Sequence, residues 1–127
     1  NIMLAWNGSI AISAYNGIIS PAYCVYQFRN NFNPKFFEYL FKTEIYKAEF
    51  KRKSTGIIES RLRLYSDQLY NIHCVVPSLE EQNKIVEELE SRLSVADKME
   101  ESISQSLQQA EALRQSILKK AFSGELV

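Results

Sequence analysis

Positive charge is concentrated between residues 47 and 63 of this 127-residue sequence. Six Lys and Arg side chains lie within these seventeen residues, against two acidic ones, Glu49 and Glu59. Such a cluster binds phosphate groups through counterion release, and nearby hydroxyl and backbone N–H groups add hydrogen-bond donors. The candidate DNA-binding residues are Lys47, Lys51, Arg52, Lys53, Ser54, Thr55, Gly56, Arg61 and Arg63.

Two of these cations, Arg61 and Arg63, lie in a segment where apolar and polar residues alternate over 58–65. Alternation with period two predicts a half-buried strand and places both arginines on one face. An Arg guanidinium has the fork geometry that reads O6 and N7 of guanine in the major groove. The alternative is a solvated loop and strand edge, where lysines block aggregation. Composition alone leaves both interpretations open.

Catalytic chemistry finds little support in the residue types. The four glycines are too dispersed for a Gly-rich phosphate loop, and one His with two scattered Cys predicts no metal site and no cofactor. His73 and Cys74 are neighbours in a predicted strand, so their side chains point to opposite faces. We expect Cys74 and Cys24 in the core and His73 at the surface, although a thiol enzyme using either cysteine stays an alternative. The cysteine usage favours a reducing, cytoplasmic location.

Pro77 divides the sequence into two dissimilar parts. Residues 1–76 hold nine basic and five acidic side chains, whereas 77–127 hold six and ten. Fourteen of the fifteen aromatic residues precede Pro77. The zero formal net charge is therefore an average over two different surfaces. We interpret 1–76 as one domain and 77–127 as a second.

The first part has turn and strand signals. Asn7-Gly8 and Asn16-Gly17 are typical of type I′ hairpin turns, and Asn33-Pro34 is typical of a helix start. Five segments are predicted as strands: Ile2–Trp6, Ser9–Ala14, Ala22–Phe28, 58–65 and Asn71–Val76. The expected fold class is therefore α+β, with a small β-rich globular part containing a helix, followed by one long coiled-coil-type α-helix.

That long helix is predicted from the second part. Ser78 and Glu81 have capping-box spacing, and no Gly or Pro follows until Gly124, which indicates a helix of about 44 residues. A helix of this length cannot bury its apolar stripe on a small globular part, so we expect another helix as partner and a homodimer of the chain. The predicted helix-pairing residues are Leu89, Leu93, Ala96, Met99, Ile103, Leu107, Ala110, Leu113 and Ile117.

Several motifs resemble one family over essentially the whole chain. They are Trp6-Asn7-Gly8-Ser9-Ile10, Ser54-Thr55-Gly56-Ile57, Leu79-Glu80-Glu81-Gln82 after Val75-Val76-Pro77, and the tail of residues 112–127, ALRQSILKKAFSGELV. Together they resemble the specificity subunits of type I restriction–modification systems. The tail is the most specific of these similarities.

The resemblance implies a DNA-recognition subunit with no chemistry of its own. Such subunits carry recognition domains that each read one half of a bipartite target in double-stranded DNA. The long helices that follow pair antiparallel and dock the methyltransferase and restriction subunits. Residues 1–76 would then be the later half of a recognition domain and 77–127 its helix, in a longer cytoplasmic protein without a membrane span. The alternative is a coiled-coil protein-interaction scaffold without DNA binding.

Overall fold

The structure, a computed structural model, describes residues 2–29 and 31–126. Its helices are α1 (Pro34–Phe41), α2 (Glu44–Lys53), α3 (Ser66–Tyr70) and α4 (Leu79–Phe122), and short 3-10 turns span Ala5–Asn7 and Glu59–Arg61. The chain divides into two compact units, Asn1–Val86 and Glu87–Val127. No helix in the described ranges is both long and apolar enough to cross a membrane.

The predicted β-rich fold class is wrong. The structure is 59% helix and 2% strand. Within the described ranges, β-pairing is limited to one antiparallel bridge between Thr55 and Arg63. β-branched and aromatic residues fit the surface of a sheet, but a strand persists only when neighbouring strands complete its hydrogen-bond ladder. The sequence patterns identified extended segments and carried no information on whether such neighbours exist.

The predicted first hairpin illustrates the error. Asn7 ends a 3-10 turn, and Gly8 takes a left-handed conformation with φ of 88°, so the Asn-Gly signal marks a turn without paired strands. The following segment, 9–29, has no regular secondary structure. Its apolar side chains include the exposed Tyr15, Ile18 and Val25.

The helix-start signals are confirmed. Asn33 caps α1 by accepting a hydrogen bond from the Lys35 N–H at 2.9 Å, with Pro34 at the first helical position. The capping box before α4 is also formed. The Glu81 N–H donates to Ser78 Oγ at 3.3 Å, and the Ser78 N–H donates to Glu81 Oε2 at 3.1 Å. The long helix, predicted at about 44 residues, has 44.

Two hydrophobic clusters form the core of the first unit. One contains the buried Ala5, Phe50 and Leu64, and the other contains Phe36, Phe37 and Val86. Phe41 at the end of α1 packs against both clusters and therefore connects them. Phe50 is completely buried and anchors α2 to this core.

A buried glutamine joins the start of α4 to the start of α1 within the first unit. Gln82 is only 1% exposed. Its side-chain Oε1 accepts a hydrogen bond from the Asn33 N–H, and its Nε2 donates to the Pro77 carbonyl, both at 2.9 Å. Asn33 Nδ2 adds a bond to Asn83 Oδ1 at 2.8 Å. We call these contacts the Gln82 latch.

The expectations for the cysteines are met in part. Cys74 is half-buried and packs against the second cluster, and this burial raises the pKa of its thiol. His73 is exposed, as predicted. The prediction that Cys24 lies in the core is wrong, because its side chain is exposed. The prediction depends on a strand over Ala22–Phe28, and this strand does not form.

The second unit consists of α4 from Glu87 onward and the residues that follow it. Its apolar stripe is solvent-exposed along most of its length, with Leu93 at 44%, Ile103 at 67% and Leu107 at 70% exposure. Gly124 follows the helix with φ of 79°, the left-handed conformation expected of a helix stop.

Candidate nucleic-acid interface

The last turn of α2 carries three consecutive cations. Lys51 and Arg52 are exposed and Lys53 is half-buried, while the preceding residue, Phe50, is buried in the core. Cations at a helix C-terminus interact favourably with the helix dipole. The sequence therefore places the charge where the fold tolerates it, on the solvent side of an anchored helix.

A short loop directly after α2 is braced by its own backbone. Thr55 and Arg63 exchange two N–H···O bonds of 2.9 Å, and the Leu64 N–H donates to the Ile2 carbonyl at 2.9 Å. Gly56 has φ of 154°, and a Cβ there would lie 2.5 Å from the Arg61 carbonyl oxygen. Only glycine allows this close approach, so the loop closes tightly between residues 55 and 63.

The two arginines of this loop have different environments. Arg61 lies in the 3-10 turn, is exposed, and makes no side-chain hydrogen bond or ion pair within the described ranges. Arg63 Nη1 instead donates to the Leu62 carbonyl at 2.8 Å and to that of Ser60 at 3.4 Å. The prediction that both lie on one strand face is wrong, because the 3-10 turn interrupts the alternating segment. The Arg61 side chain is therefore available to a ligand. The Arg63 side chain is instead hydrogen-bonded to the backbone of the loop.

Three of the predicted cations are paired with acids. Lys47 contacts Glu44 at 2.8 Å, and Lys51 contacts Glu59. Arg52 makes a two-point contact with Glu49, at 2.8 and 2.5 Å, which lowers the pKa of the Glu49 carboxyl and raises that of the guanidinium. Exposed pairs of this kind contribute little to stability. They can therefore open when a phosphate competes for the cation.

The predicted hydroxyl donors are only partly available. Ser54 caps the end of α2, with Oγ donating to the Phe50 carbonyl at 2.7 Å, so its hydroxyl proton is already used. Thr55 is exposed, and its Oγ1 is 3.5 Å from the Arg63 carbonyl, the limit of a hydrogen bond. The structure thus leaves Thr55 as the better donor of the two.

Trp6 also belongs to this surface and was missed by the sequence reasoning. Lys51 Nζ lies 5.4 Å from the centre of the Trp6 ring, within cation–π range. Trp6 and Asn7 line a shallow groove with Lys47 and Lys51. The available signal was the single tryptophan of the chain, placed next to a turn.

Removing the acid that pairs with Lys51 should strengthen binding of duplex DNA. Glu59→Gln frees Lys51 and removes one negative charge, so mixed-sequence DNA affinity should rise and its salt slope should steepen by up to about 0.9. The matched control is Glu80→Gln, which releases Lys84 from a similar exposed pair on α4. Salt-dependent titrations of both variants make the comparison; a weaker or unchanged affinity of Glu59→Gln would contradict the placement of DNA here.

Residues 1–109 match the model of one protein family, described as the type I restriction modification DNA specificity domain. The match covers most of the chain, including the braced loop and the Gln82 latch. The chain belongs to this family. No curated protein and no solved structure gives a significant match to it.

No group of three or more His, Cys, Asp or Glu side chains lies together in a metal-binding arrangement within the described ranges.

Proposed function

We propose that this specificity domain binds double-stranded DNA with the surface formed by α2 and the loop after it, and reads one half of a bipartite target. The supporting observation is that the cations at the end of α2 and the free Arg61 lie on one backbone-braced segment of a DNA specificity domain. We call the nine candidate residues between Lys47 and Arg63 the basic surface. The proposal includes no catalytic step: the domain recognises DNA in the cytoplasm and leaves chemistry to partner subunits.

Within the basic surface we assign three tasks. Lys47, Lys51, Arg52 and Lys53 neutralise phosphates, since flexible side chains on a helix follow the backbone whatever its sequence. Arg61 contacts a base edge, because its position is fixed by the 3-10 turn and its guanidinium is unengaged. Arg63 positions the loop through its bonds to the Ser60 and Leu62 carbonyls.

Substituting the two lysines tests the phosphate assignment. Lys51→Ala with Lys53→Ala should weaken binding of target and mixed-sequence duplexes about equally, and should flatten the salt slope by up to about one unit per lost phosphate contact. The control is Lys42→Ala with Lys84→Ala, which removes the same charge from two exposed ion pairs outside the basic surface. Equal losses in the two double variants would assign the effect to net charge and not to this surface.

The arginines should behave differently in the same titrations. Arg61→Ala should cost about 1–3 kcal/mol on the target and little on mixed-sequence DNA. Arg63→Ala should also reduce target binding, through a loosened loop. Equal losses on both duplexes for Arg61→Ala would show that this side chain contacts the backbone and would remove it from base recognition.

For α4 we propose pairing with the same helix of a second copy. The exposed stripe supports this, with Ala96 and Ala110 permitting close approach of the partner helix. Residues 80–101 carry eight acidic and three basic side chains, whereas the last turn carries Lys119 and Lys120. An antiparallel arrangement brings the acidic half of one helix to the basic end of the other.

The end of α4 is proposed to dock a methyltransferase subunit, and through it the restriction subunit, as the family resemblance implies. Leu118, Phe122 and Leu126 are exposed there, with Phe122 at 90%. Deleting residues 115–127 should abolish co-purification with the methyltransferase subunit while DNA binding stays measurable. Undiminished co-purification would show that these apolar residues complete the helix-pairing stripe instead.

A further inference from the structure

The groove between the first 3-10 turn and α2 combines charged, polar and aromatic side chains. We call it the Trp6 groove; it is lined by Trp6, Asn7, Glu44, Lys47, Ala48 and Lys51. Its volume of about 310 Å³ is at the lower end of the range for ligand pockets and admits a ligand of about one sugar–phosphate unit. Two ammonium groups, an amide and an aromatic ring suit a ligand that has both a negative charge and an apolar part.

Contacts within the first unit fix the walls of the Trp6 groove. The Trp6 indole N–H donates to the Met3 carbonyl at 3.1 Å, and the ring packs against the core cluster that contains Phe50. On α2, the Lys47 side chain passes so close to Gly8 that a Cβ there would lie 3.0 Å from Lys47 Cε. The groove is therefore a preformed feature of this unit.

Both lysines of the groove are neutralised by carboxylates that an incoming phosphate can replace. Lys47 contacts Glu44, and Lys51 contacts Glu59. In each pair the acidic side chain is the more exposed one, with Glu44 at 88% and Lys47 at 30%. Exposed pairs of this kind separate at little cost. Lys47 and Lys51 are one helical turn apart, about 5–6 Å between Cβ atoms, so both side chains can bond to the same phosphate.

We propose that the Trp6 groove binds one sugar–phosphate unit of the DNA backbone, with the phosphate bonded to Lys47 and Lys51 and the deoxyribose packed against the Trp6 ring. This inference rests on the DNA-binding function proposed above and adds two residues to it. Asn7 Oδ1 already accepts a bond from Ser9 Oγ at 2.9 Å, which leaves the amide N–H groups of Asn7 to donate to the phosphate. Contacts to sugar and phosphate fix the register of a protein on a duplex without reading its sequence. Such a role is independent of the target, in agreement with the place of Trp6 and Asn7 in a motif that resembles the family.

Trp6 fluorescence tests the contact directly, because Trp6 is the single tryptophan of the chain. Acrylamide quenches an indole by collision, and Trp6 is only half-buried in the free chain. When a mixed-sequence duplex binds, quenching should fall over the same range of DNA concentrations in which the anisotropy of a labelled duplex rises.

Substitution of the ring is the second measurement. Trp6→Leu keeps an apolar side chain against the core and should weaken binding of a mixed-sequence duplex about fivefold, which corresponds to burial of about 40 Å² of apolar surface. The salt slope should not change, since no charge is removed. The matched control is Tyr46→Leu, which removes an aromatic ring from the same core cluster outside the groove and should bind as the wild type does. Circular dichroism verifies that both variants are folded.

The sugar contact is refuted, while the proposed function stands, if the duplex binds and acrylamide still quenches Trp6 as in the free chain. An undiminished affinity of Trp6→Leu, or an equal loss in Tyr46→Leu, also refutes it. Protection by single-stranded DNA but not by the duplex would indicate stacking of an unpaired base on the ring and would refute it as well. If Trp6→Leu does not fold, the quenching result alone decides. A wild type without affinity for any duplex refutes both proposals.

Discussion

Replacing Gln82 with leucine is expected to lower the free energy of unfolding of the first unit by about 2 kcal/mol. Leucine has a similar volume but leaves the Asn33 N–H and the Pro77 carbonyl without the partners they have in the Gln82 latch. Both groups are only partly buried, so each lost partner costs about 1 kcal/mol, the low end of the range for buried groups. Because a domain of this size has only about 5–15 kcal/mol in total, the loss is a large fraction of its stability.

Urea unfolding followed by Trp6 fluorescence measures this effect, since the single tryptophan of the chain packs against the core of the first unit. Gln108→Leu is the matched control, because Gln108 is exposed on the second unit. Gln82→Glu adds a finer test: it keeps the acceptor for the Asn33 N–H and loses the donor to the Pro77 carbonyl. If Gln82→Leu were as stable as Gln108→Leu, the latch would have no energetic role.

Replacing Leu107 with aspartate is expected to dissociate the proposed helix pair. Leu107 lies in the apolar stripe and is 70% exposed in the single chain, so a partner helix would bury it. Pairing would then bury an unpaired carboxylate, which is unfavourable by several kcal/mol unless the side chain is protonated or the helices separate. Sedimentation velocity at micromolar concentration should show a dimer for the wild type and a monomer for the variant.

Gln108→Asp controls for charge and helix propensity, because the neighbouring position introduces the same residue off the stripe. It should sediment as the wild type does. A wild type that is monomeric throughout the concentration series rejects homodimerisation, and a Gln108→Asp variant that also dissociates assigns the effect to the added charge alone.

Local signals in the sequence were sufficient to predict the starts of α1 and α4 and the length of α4. The capping residues Asn33 and Ser78 bond to backbone groups within a few positions, so their roles are readable from spacing. The apolar period of α4 extends over ten turns, and no nearby Gly or Pro competes with it. Such features depend on neighbours along the chain, which the sequence displays directly.

The strands could not be predicted in this way, because a ladder depends on a partner that may lie anywhere in the chain. Apolar and polar residues do alternate over 58–65, but a 3-10 turn at Glu59–Arg61 interrupts the extended backbone. Gly56 also brings the backbone of this segment close to the Arg61 carbonyl. The assignments that relied on a strand failed with it, including the shared face of Arg61 and Arg63 and the burial of Cys24.

Composition identifies the cations of the basic surface, but not the acidic side chains with which they form ion pairs. The contacts of Lys47 with Glu44 and of Arg52 with Glu49 follow helical spacing and were accessible from the sequence. The contact of Lys51 with Glu59 crosses the turn after α2 and needed the structure. Gln82 had a sequence signal that was overlooked: it precedes Val86 by four residues and therefore shares the buried face of α4.

We propose above that this chain binds duplex DNA through phosphate contacts on the basic surface. Its most direct test is the affinity of the unsubstituted chain for a mixed-sequence duplex, titrated over a series of salt concentrations. Three to four phosphate contacts predict that log K falls with log salt with a slope of about −2.7 to −3.6. A chain that shows no salt-dependent affinity, even at low salt, would contradict the claim and favour a coiled-coil protein scaffold.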